Sequence, residues 1–334
     1  MKTKQTSFYF LLVLCVILCL LSCKDNNRYQ WQPAISAPKY YPVAGNVDFG
    51  NAGHGSNTSF DKGWGRGYGG VVSGDIYKEI PREVYIEYYS VVDAKDFRGT
   101  VSLPYDELLQ LFKKYCKNKE EDRGRLLVGM APGGWIRVWA YFHSGTEITD
   151  NIEIAKAKLE IYDSGRKRDS VTYDHWLEYY TYWQHFGIPY EAWSENEKEY
   201  DLYFDFDNPN PDYEVFDVIY SSIDGSINLN IMNDKLMKKR KIPADLIVAW
   251  RKRNDTLRYD THILFPKNFH KIINKQNPKQ IKISLHINAD DQGDIYIQLD
   301  NNKKDKFLRF KNYPAKARYT GNSDFSQEVE YFIK

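Results

Sequence analysis

Two segments of this chain have the same pattern of apolar residues, without a gap, between a pair of prolines. The segments run from Pro81 to Pro104 and from Pro243 to Pro266, and in both the two prolines are 23 residues apart. Apolar or aromatic residues share the same offsets: Val84/Leu246, Ile86/Val248, Tyr88/Trp250, Phe97/Tyr259, Val101/Ile263 and Leu103/Phe265. Strand alternation explains any one of these matches, but not an ungapped match that includes both prolines. The sequence therefore predicts a duplicated structural unit.

Each copy has the pattern of two strands, a short helix and two further strands. Alternating apolar residues after the first proline predict a half-buried strand, and a second strand follows a turn. The second proline suits the first turn of a helix, where a missing N–H is harmless. A hairpin then turns at Pro132-Gly133-Gly134 in the first copy and at Gln292-Gly293 in the second. We predict an α+β fold rich in antiparallel β-structure, with two similar strand–strand–helix–strand–strand modules and a helical aromatic segment between them.

These modules divide the chain into five segments. We predict a lipoprotein signal peptide over residues 1–22, a tether over 23–41, a first module over 42–145, an aromatic helical connector over 146–204 and a second module over 205–334. The connector holds twelve Phe, Tyr or Trp residues between Thr172 and Phe204. Their three- and four-residue spacing predicts a helix with an aromatic stripe that packs between the modules. The alternative is an exposed platform for sugars or proteins, formed by Trp176, Trp183 and Trp193.

The N-terminus has the pattern of an exported lipoprotein. Lys2 and Lys4 precede an apolar run of fourteen residues, Phe8–Leu21, whereas a membrane-spanning helix needs about 20. Leu20-Leu21-Ser22-Cys23 resembles a bacterial lipobox, which predicts lipidation of Cys23 and loss of the preceding segment. The following Lys24-Asp25-Asn26-Asn27 is similar to sorting sequences of outer-membrane lipoproteins. We therefore expect a lipid-anchored outer-membrane protein on the periplasmic or cell-surface face.

Composition and motifs give no support for catalysis, a cofactor, a metal or nucleic acid. The 46 Lys and Arg residues balance 45 Asp and Glu residues, so no overall field favours nucleic acid. None of the seven histidines has the spacing of a helical zinc motif. Asp205–Asp212 alternates oxygen ligands but lacks the glycine of a calcium loop, and a linker is the preferred interpretation. Cys116 has no identifiable catalytic base or disulfide partner once Cys23 carries lipid, so no catalytic residue is predicted.

A glycine-rich stretch, Gly63–Gly70, is the first candidate binding loop. It lacks the Lys-Ser/Thr that would follow in a phosphate-binding loop, and no strand-to-helix pattern surrounds it. We interpret it as a flexible or turn-rich loop. If it binds a partner, Trp64, Arg66 and Tyr68 would provide aromatic contacts and charge.

Five motifs of the first copy resemble the bacterial lipoprotein family named domain of unknown function 2931. They are Tyr41-Pro42-Val43, Gly63-Trp64-Gly65, Ile80-Pro81-Arg82-Glu83-Val84, Ser102-Leu103-Pro104, and the segment from Val128 through Ala131-Pro132-Gly133-Gly134-Trp135 to Trp139. The resemblance covers residues 31–145 and implies no established activity or catalytic residues. It adds Trp135, within the most specific motif, to the candidate binding residues.

Together these patterns lead us to expect a non-catalytic, lipid-anchored binding protein of the cell envelope with a protein partner. By analogy with other lipoproteins of this general kind, the partner would be an antibacterial toxin that the protein neutralises. The alternatives are a surface protein that binds glycans through aromatic residues and, behind it, an unrecognised hydrolase.

Overall fold

The computed structural model describes residues 27–50, 53–67, 75–165, 177–229, 231–233, 236–256, 258–288, 292–311 and 329–332. The predicted signal peptide, Cys23, Tyr68 and Trp176 lie outside these residues. Within the described ranges, no helix combines the length and the apolar character needed to cross a membrane.

The described residues of the first half form two β-sheets and one helix. Its strands are β1 (Arg28–Ser36), β2 (Val43–Asp48), β3 (His54–Phe60), β4 (Tyr77–Glu79), β5 (Glu83–Ser90), β6 (Lys95–Ser102), β7 (Arg123–Met130), β8 (Trp135–Ser144), β9 (Glu147–Ile148), β10 (Ile152–Lys158) and β11 (Glu160–Tyr162), and its helix is α1 (Tyr105–Tyr115). One sheet has the order β10-β8-β7-β1-β4, with β9 paired to β8, and the other has the order β11-β6-β5-β2-β3.

The alternating sequence accounts for the way these sheets bury their side chains. On β5, Val84, Ile86 and Tyr88 are buried while Glu83 and Tyr85 point to solvent, as a strand period of two requires. Helix α1 starts directly after Pro104 and buries an apolar face of Leu108, Leu109 and Phe112. Residues of both sheets and of α1 share one core cluster, so the two sheets pack face to face.

In the second half, the described residues form two sheets and one helix of their own. Its strands are β12 (Glu199–Asp205), β13 (Tyr213–Ser222), β14 (Ile227–Asn228), β15 (Lys238–Lys241), β16 (Pro243–Lys252), β17 (Arg258–Leu264), β18 (Gln280–Ile287), β19 (Gln292–Leu299), β20 (Asp305–Lys311) and β21 (Val329–Tyr331). The connector contributes α2 (Leu177–Phe186) and α3 (Tyr190–Ser194), and α4 (Phe269–Gln276) lies between β17 and β18. The sheet orders are β15-β12-β18-β19-β20-β21 and β14-β13-β16-β17.

The strand orders of the two halves correspond. The series β4-β1-β7-β8-β10 has the same order as β15-β12-β18-β19-β20, and β6-β5-β2-β3 the same order as β17-β16-β13-β14. The parallel pair β1–β7 has a counterpart in β12–β18, while the other strand pairs are antiparallel. The predicted fold class, α+β and rich in antiparallel strands, is therefore confirmed.

The arrangement within each half differs from the expected helix on one antiparallel sheet. The hairpin before the helix and the hairpin after it lie in different sheets, and four strands precede the predicted unit in each half, β1–β4 before β5 and β12–β15 before β16. Each hairpin has one apolar face, and packing the two sheets face to face buries the apolar faces of both hairpins. The predicted helical connector over 146–204 is wrong at its two ends, where β9–β11 and β12 lie.

The predicted tether over residues 23–41 is wrong for the part that the structure describes. Residues 28–36 form β1, which lies between β4 and β7 and buries Trp31 and Ile35 completely. Pro33 is compatible with this strand, because β4 pairs only with Arg28–Gln30 and the rest of β1 is bonded to β7 alone.

A third core cluster lies between the two halves, and we call it the seam. Its buried members come from both halves and from the connector: Ala34, Tyr40, Tyr41, Trp64, Leu127, Ala131, Trp139, Tyr182, Trp193, Ala244 and Leu264. The backbone carbonyl of Gly225 accepts hydrogen bonds from the N–H groups of Lys39 (3.0 Å) and Trp64 (2.9 Å). The halves are therefore held together by apolar packing and by backbone hydrogen bonds.

Candidate functional site

The turn between β7 and β8 requires two glycines. Gly133 and Gly134 have φ angles of 76° and 83°, in the left-handed region that other residues rarely adopt. A Cβ atom on Gly133 would lie 2.8 Å from the Tyr190 ring, and one on Gly134 would lie 2.6 Å from the carbonyl oxygen of Leu159. The glycines therefore allow helix α3 and the β10–β11 connection to approach the turn closely.

This close approach forms a groove of about 740 Å³ between the turn, β6, β11 and α3. Phe97, Trp135, Leu159 and Ile161 provide most of its apolar lining. Phe97 and Leu159 are buried, Trp135 is half-buried, and Ile161 at the rim is 63% exposed. An open, mainly apolar groove of this size accommodates several side chains or a small ligand.

Asp93 fixes two walls of the groove relative to each other. Its Oδ2 accepts a hydrogen bond from the backbone N–H of Gly133 (2.7 Å), and its Oδ1 accepts one from the Tyr190 hydroxyl (2.6 Å). Burial, together with this hydrogen bond to Asp93, raises the pKa of Tyr190, which therefore stays protonated and donates. Because both oxygens of Asp93 are engaged, the carboxylate positions the turn and α3.

Charged side chains of both signs surround the apolar lining. Lys95 and Lys158 face Glu160 and Glu191 around the rim, and all four are exposed. The Lys158 ammonium lies 5.0 Å from the centre of the Trp135 ring, within the range of a cation–π contact. A ligand in the groove would meet an apolar floor and a rim that can pair with either charge.

A family described as "Protein of unknown function (DUF2931)" matches residues 22–203, which is more than half of the 334 residues. The chain belongs to the DUF2931 family. The match contains β1, the glycine turn and both connector helices, so it extends beyond residue 145, where the resemblance was expected to end. No curated protein and no solved structure gives a significant match.

The glycine-rich loop of this DUF2931 protein does not present its tryptophan to a partner. Trp64 is only 7% exposed and packs edge-on against Trp139, with 5.1 Å between ring centres. Arg66 is exposed. Apolar packing in the seam therefore occupies the Trp64 ring, and its binding role stays a prediction that this burial does not favour. Tyr68 lies outside the described residues.

Two connector tryptophans belong to the seam. Trp193 is completely buried, and its indole N–H donates to the carbonyl of Asp224 (2.9 Å). The half-buried Trp183 donates to the carbonyl of Tyr40 (2.7 Å). These contacts support packing between the modules, as first expected for the connector, and contradict an exposed platform at these positions. Trp176 lies outside the described residues.

Among the candidate residues that the structure describes, Trp135 is the one that lines an open groove. Sequence reasoning did not single out Asp93, Ile161 or Tyr190, which form the groove with it. Asp93 had a signal, since it stands in the predicted turn of the repeat and matches Asp255. Ile161 and Tyr190 had none, because their neighbours in the groove come from distant parts of the chain.

The seam of this DUF2931 protein also contains a buried cluster of polar groups. His262 Nε2 lies 2.7 Å from Asp245 Oδ2 and 3.0 Å from the Tyr40 hydroxyl, which donates to the same carboxylate at 3.2 Å. Burial alone would raise the pKa of Asp245, but Lys39 and His262 bring it below its usual value. These groups are buried, so no substrate can reach them in this conformation.

A second polar cluster lies where the connector meets α4. Glu197 Oε1 is 3.5 Å from Nε2 of His270, and burial, with the nearby Asp224, raises the pKa of Glu197. Lys241 forms an ion pair with Asp224. Within the described ranges, no group of three His, Cys, Asp or Glu side chains is arranged to hold a metal ion.

Proposed function

We propose that this DUF2931 protein is a non-catalytic, lipid-anchored binding protein of the cell envelope, and that it holds a protein partner in the groove at Trp135. The apolar lining beside the exposed Ile161 carries this proposal. An exposed aliphatic side chain next to an aromatic groove is typical of a surface that a protein partner covers.

The edge strand beside the groove provides backbone groups for such a partner. Strand β11 ends its sheet and pairs on one side with β6, through Glu160↔Arg98, Ile161↔Phe97 and Tyr162↔Asp96. Among the described residues, no strand pairs with its other side. An extended segment of a partner could add to this edge and direct alternate side chains into the groove.

The strand register supports access to the groove from outside the membrane. β1 and β7 run parallel, from Trp31↔Gly124 to Ser36↔Gly129, so the β7–β8 turn lies at the opposite end of the sheet from the start of β1. At about 3.3 Å per residue, these strands separate the two ends by roughly 25 Å. A lipid on Cys23 would hold the protein by the end farther from the groove, which is consistent with anchorage in the outer membrane.

We also infer that the two halves derive from one duplicated module. The corresponding strand orders and the 23-residue match between prolines support this inference. The groove lies in the first half, so the second half would contribute the seam and a surface of its own.

A glycan remains the second candidate ligand, because the half-buried Trp135 ring lies in a concave groove among charged side chains. Sugars stack on such rings and bond to flanking carboxylates. A toxin that the protein neutralises would be one case of the protein partner. No contact among the described residues favours the hydrolase.

The test compares two isoleucines of nearly equal exposure, Ile161 at 63% and Ile148 at 65%. Tagged full-length protein is expressed in its own cells, cross-linked in the intact envelope, and purified with the molecules bound to it. Ile161→Asp changes the rim of the groove, whereas Ile148→Asp changes a β9 side chain that is 65% exposed and belongs to the other sheet.

We expect one protein to be recovered in stoichiometric amount with the wild type and with Ile148→Asp, and to be lost with Ile161→Asp. Recovery of polysaccharide instead, lost with Trp135→Ala, would favour the glycan. Equal recovery of the same protein with both isoleucine variants would refute binding through the groove.

A further inference from the structure

A tyrosine on the outer face of the second half is surrounded by basic side chains. The Tyr296 ring centre lies 4.6 Å from that of His286, 5.0 Å from Nζ of Lys304 and 5.9 Å from Nζ of Lys306. These residues come from β18, β19, β20 and the turn before β20. We call this group the Tyr296 cluster.

Only some of the basic side chains in and around the cluster are paired with a carboxylate. Asp294 accepts hydrogen bonds from Arg309 at 2.7 and 3.1 Å and pairs with Lys306 at 3.0 Å. The hydrogen bond of Lys304 goes to Nε2 of His286, at 2.8 Å. Among the described residues, Lys304 therefore has a neutral imidazole as its partner and no carboxylate at hydrogen-bond distance.

A further cation adds to the positive charge near Lys304. Lys282 on β18 pairs with Asp205 at 2.9 Å. Burial lowers the pKa of Lys304. The Asp205 carboxylate opposes this shift, and the Lys282 ammonium adds to it. Burial and Lys304 together lower the pKa of His286. In both groups burial is the largest cause of the lowered pKa, and the neighbouring lysine adds to it against the opposing carboxylates.

We propose that Lys304, Lys306 and Tyr296 form a binding site for an anionic sugar, one that carries a carboxylate or phosphate group. The anion provides the counter-charge that Lys304 lacks, through a charge-assisted hydrogen bond. The sugar ring packs its C–H face on the aromatic ring beside that ammonium. This site lies in the second half, outside the groove, and does not depend on the proposed protein partner.

The test measures binding of the full chain, purified in detergent, to three immobilised polymers. Polygalacturonate carries carboxylates on sugar rings, polyglutamate carries carboxylates without sugars, and dextran carries sugars without charge. We expect binding to polygalacturonate, binding to polyglutamate that is about tenfold weaker because one aromatic contact is lost, and none to dextran.

Variants assign the binding to the cluster. Lys304→Met and Tyr296→Leu should each weaken binding to polygalacturonate by about tenfold, since each removes one contact to the ligand. Lys239→Met is the matched control, because this exposed lysine on β15 of the same sheet pairs with Asp201 at 3.1 Å and lies outside the cluster. It should bind as the wild type does.

Three results would overturn the proposal. The first is that the protein does not bind polygalacturonate at low salt. The second is that it binds polyglutamate as tightly as polygalacturonate. The third is that Lys239→Met and Lys304→Met lose the same amount of binding. The groove variant Ile161→Asp should leave polygalacturonate binding unchanged, so failure of the protein-partner proposal and failure of this one can be told apart.

Discussion

Arg137 connects the groove to the seam, and its replacement by methionine provides the sharpest test of how α3 is held. Arg137 lies on β8 and its side chain is only 2% exposed. Its Nη1 donates to both carboxylate oxygens of Glu153 on β10, each at 2.7 Å, and its Nε and Nη2 donate to the carbonyl of Trp193 at 3.3 and 3.0 Å. One guanidinium thus joins β8, β10 and α3, which forms a wall of the groove.

The cost of Arg137→Met follows from the partners that it leaves behind. Methionine retains much of the apolar stem, so the loss of packing is small. A buried carbonyl left unpaired at Trp193 costs about 1–3 kcal/mol. The Glu153 side chain is 34% exposed, so water can solvate it once Arg137 is gone. The cost of leaving Glu153 unpaired therefore lies well below the 3–5 kcal/mol typical of a broken pair that is fully buried. We expect a loss of about 3 kcal/mol in the free energy of unfolding.

Denaturant unfolding, followed by tryptophan fluorescence, measures this loss, because tryptophans of the seam such as Trp193 contribute to the signal. A protein of two halves need not unfold in one step, so the transition of the first half is the relevant one. Glu153→Gln is the comparison, because it keeps one acceptor for Arg137 and leaves the Trp193 carbonyl paired. It removes the counter-charge of a buried guanidinium, so we expect it to cost about 1–2 kcal/mol, less than Arg137→Met. If Arg137→Met costs less than Glu153→Gln, the proposed support of α3 by Arg137 is wrong.

Three further predictions concern other positions. Gly133→Ala should destabilise the fold and weaken binding in the groove, because its Cβ would clash with Tyr190; unchanged thermal unfolding would contradict this. The buried Cys116 thiol, whose pKa is raised to about 12 chiefly by burial, should resist a thiol reagent at pH 8 until the protein unfolds, as peptide mass spectrometry can show. Burial opposes ionisation of Asp294, but hydrogen bonds from Arg309 and other donors lower its pKa to about 2. The stability advantage of wild type over Asp294→Asn should therefore be full above about pH 4 and disappear as the pH falls towards 2; an advantage that is constant over this range would contradict it.

Local sequence signals predicted the strands and helices near the repeated prolines. The alternation after Pro81 gave β5, and Pro104 marked the start of α1, since both depend on the period of the residues themselves. The motif around Gly133 also identified the most specific part of the candidate site. These features depend on the local backbone, so a single sequence contains the information needed to find them.

Contacts between distant segments were not predictable in the same way. β1 was missed because its second half is buried at every residue, as in many parallel strands, and its proline favoured a tether. The tryptophans of the connector were recognised as apolar, but the sequence does not show which surface covers them. Burial of Trp64 depends on Trp139, which is 75 positions further along the chain.

The two halves differ in sequence at the turn that builds the groove. In the first half, the N–H of Ala131 bonds to the carbonyl of Trp135, and in the second the N–H of Asn288 bonds to that of Gln292, so three residues lie between the bonded pair in each. The first half has Pro132-Gly133-Gly134 there, and the second has Ala289-Asp290-Asp291. An aspartate in place of Gly134 would place its Cβ against the Leu159 carbonyl, so the close approach that forms the groove requires the glycines. Among the described residues, the groove lies in the half with the glycine pair, and that half lies within the family match.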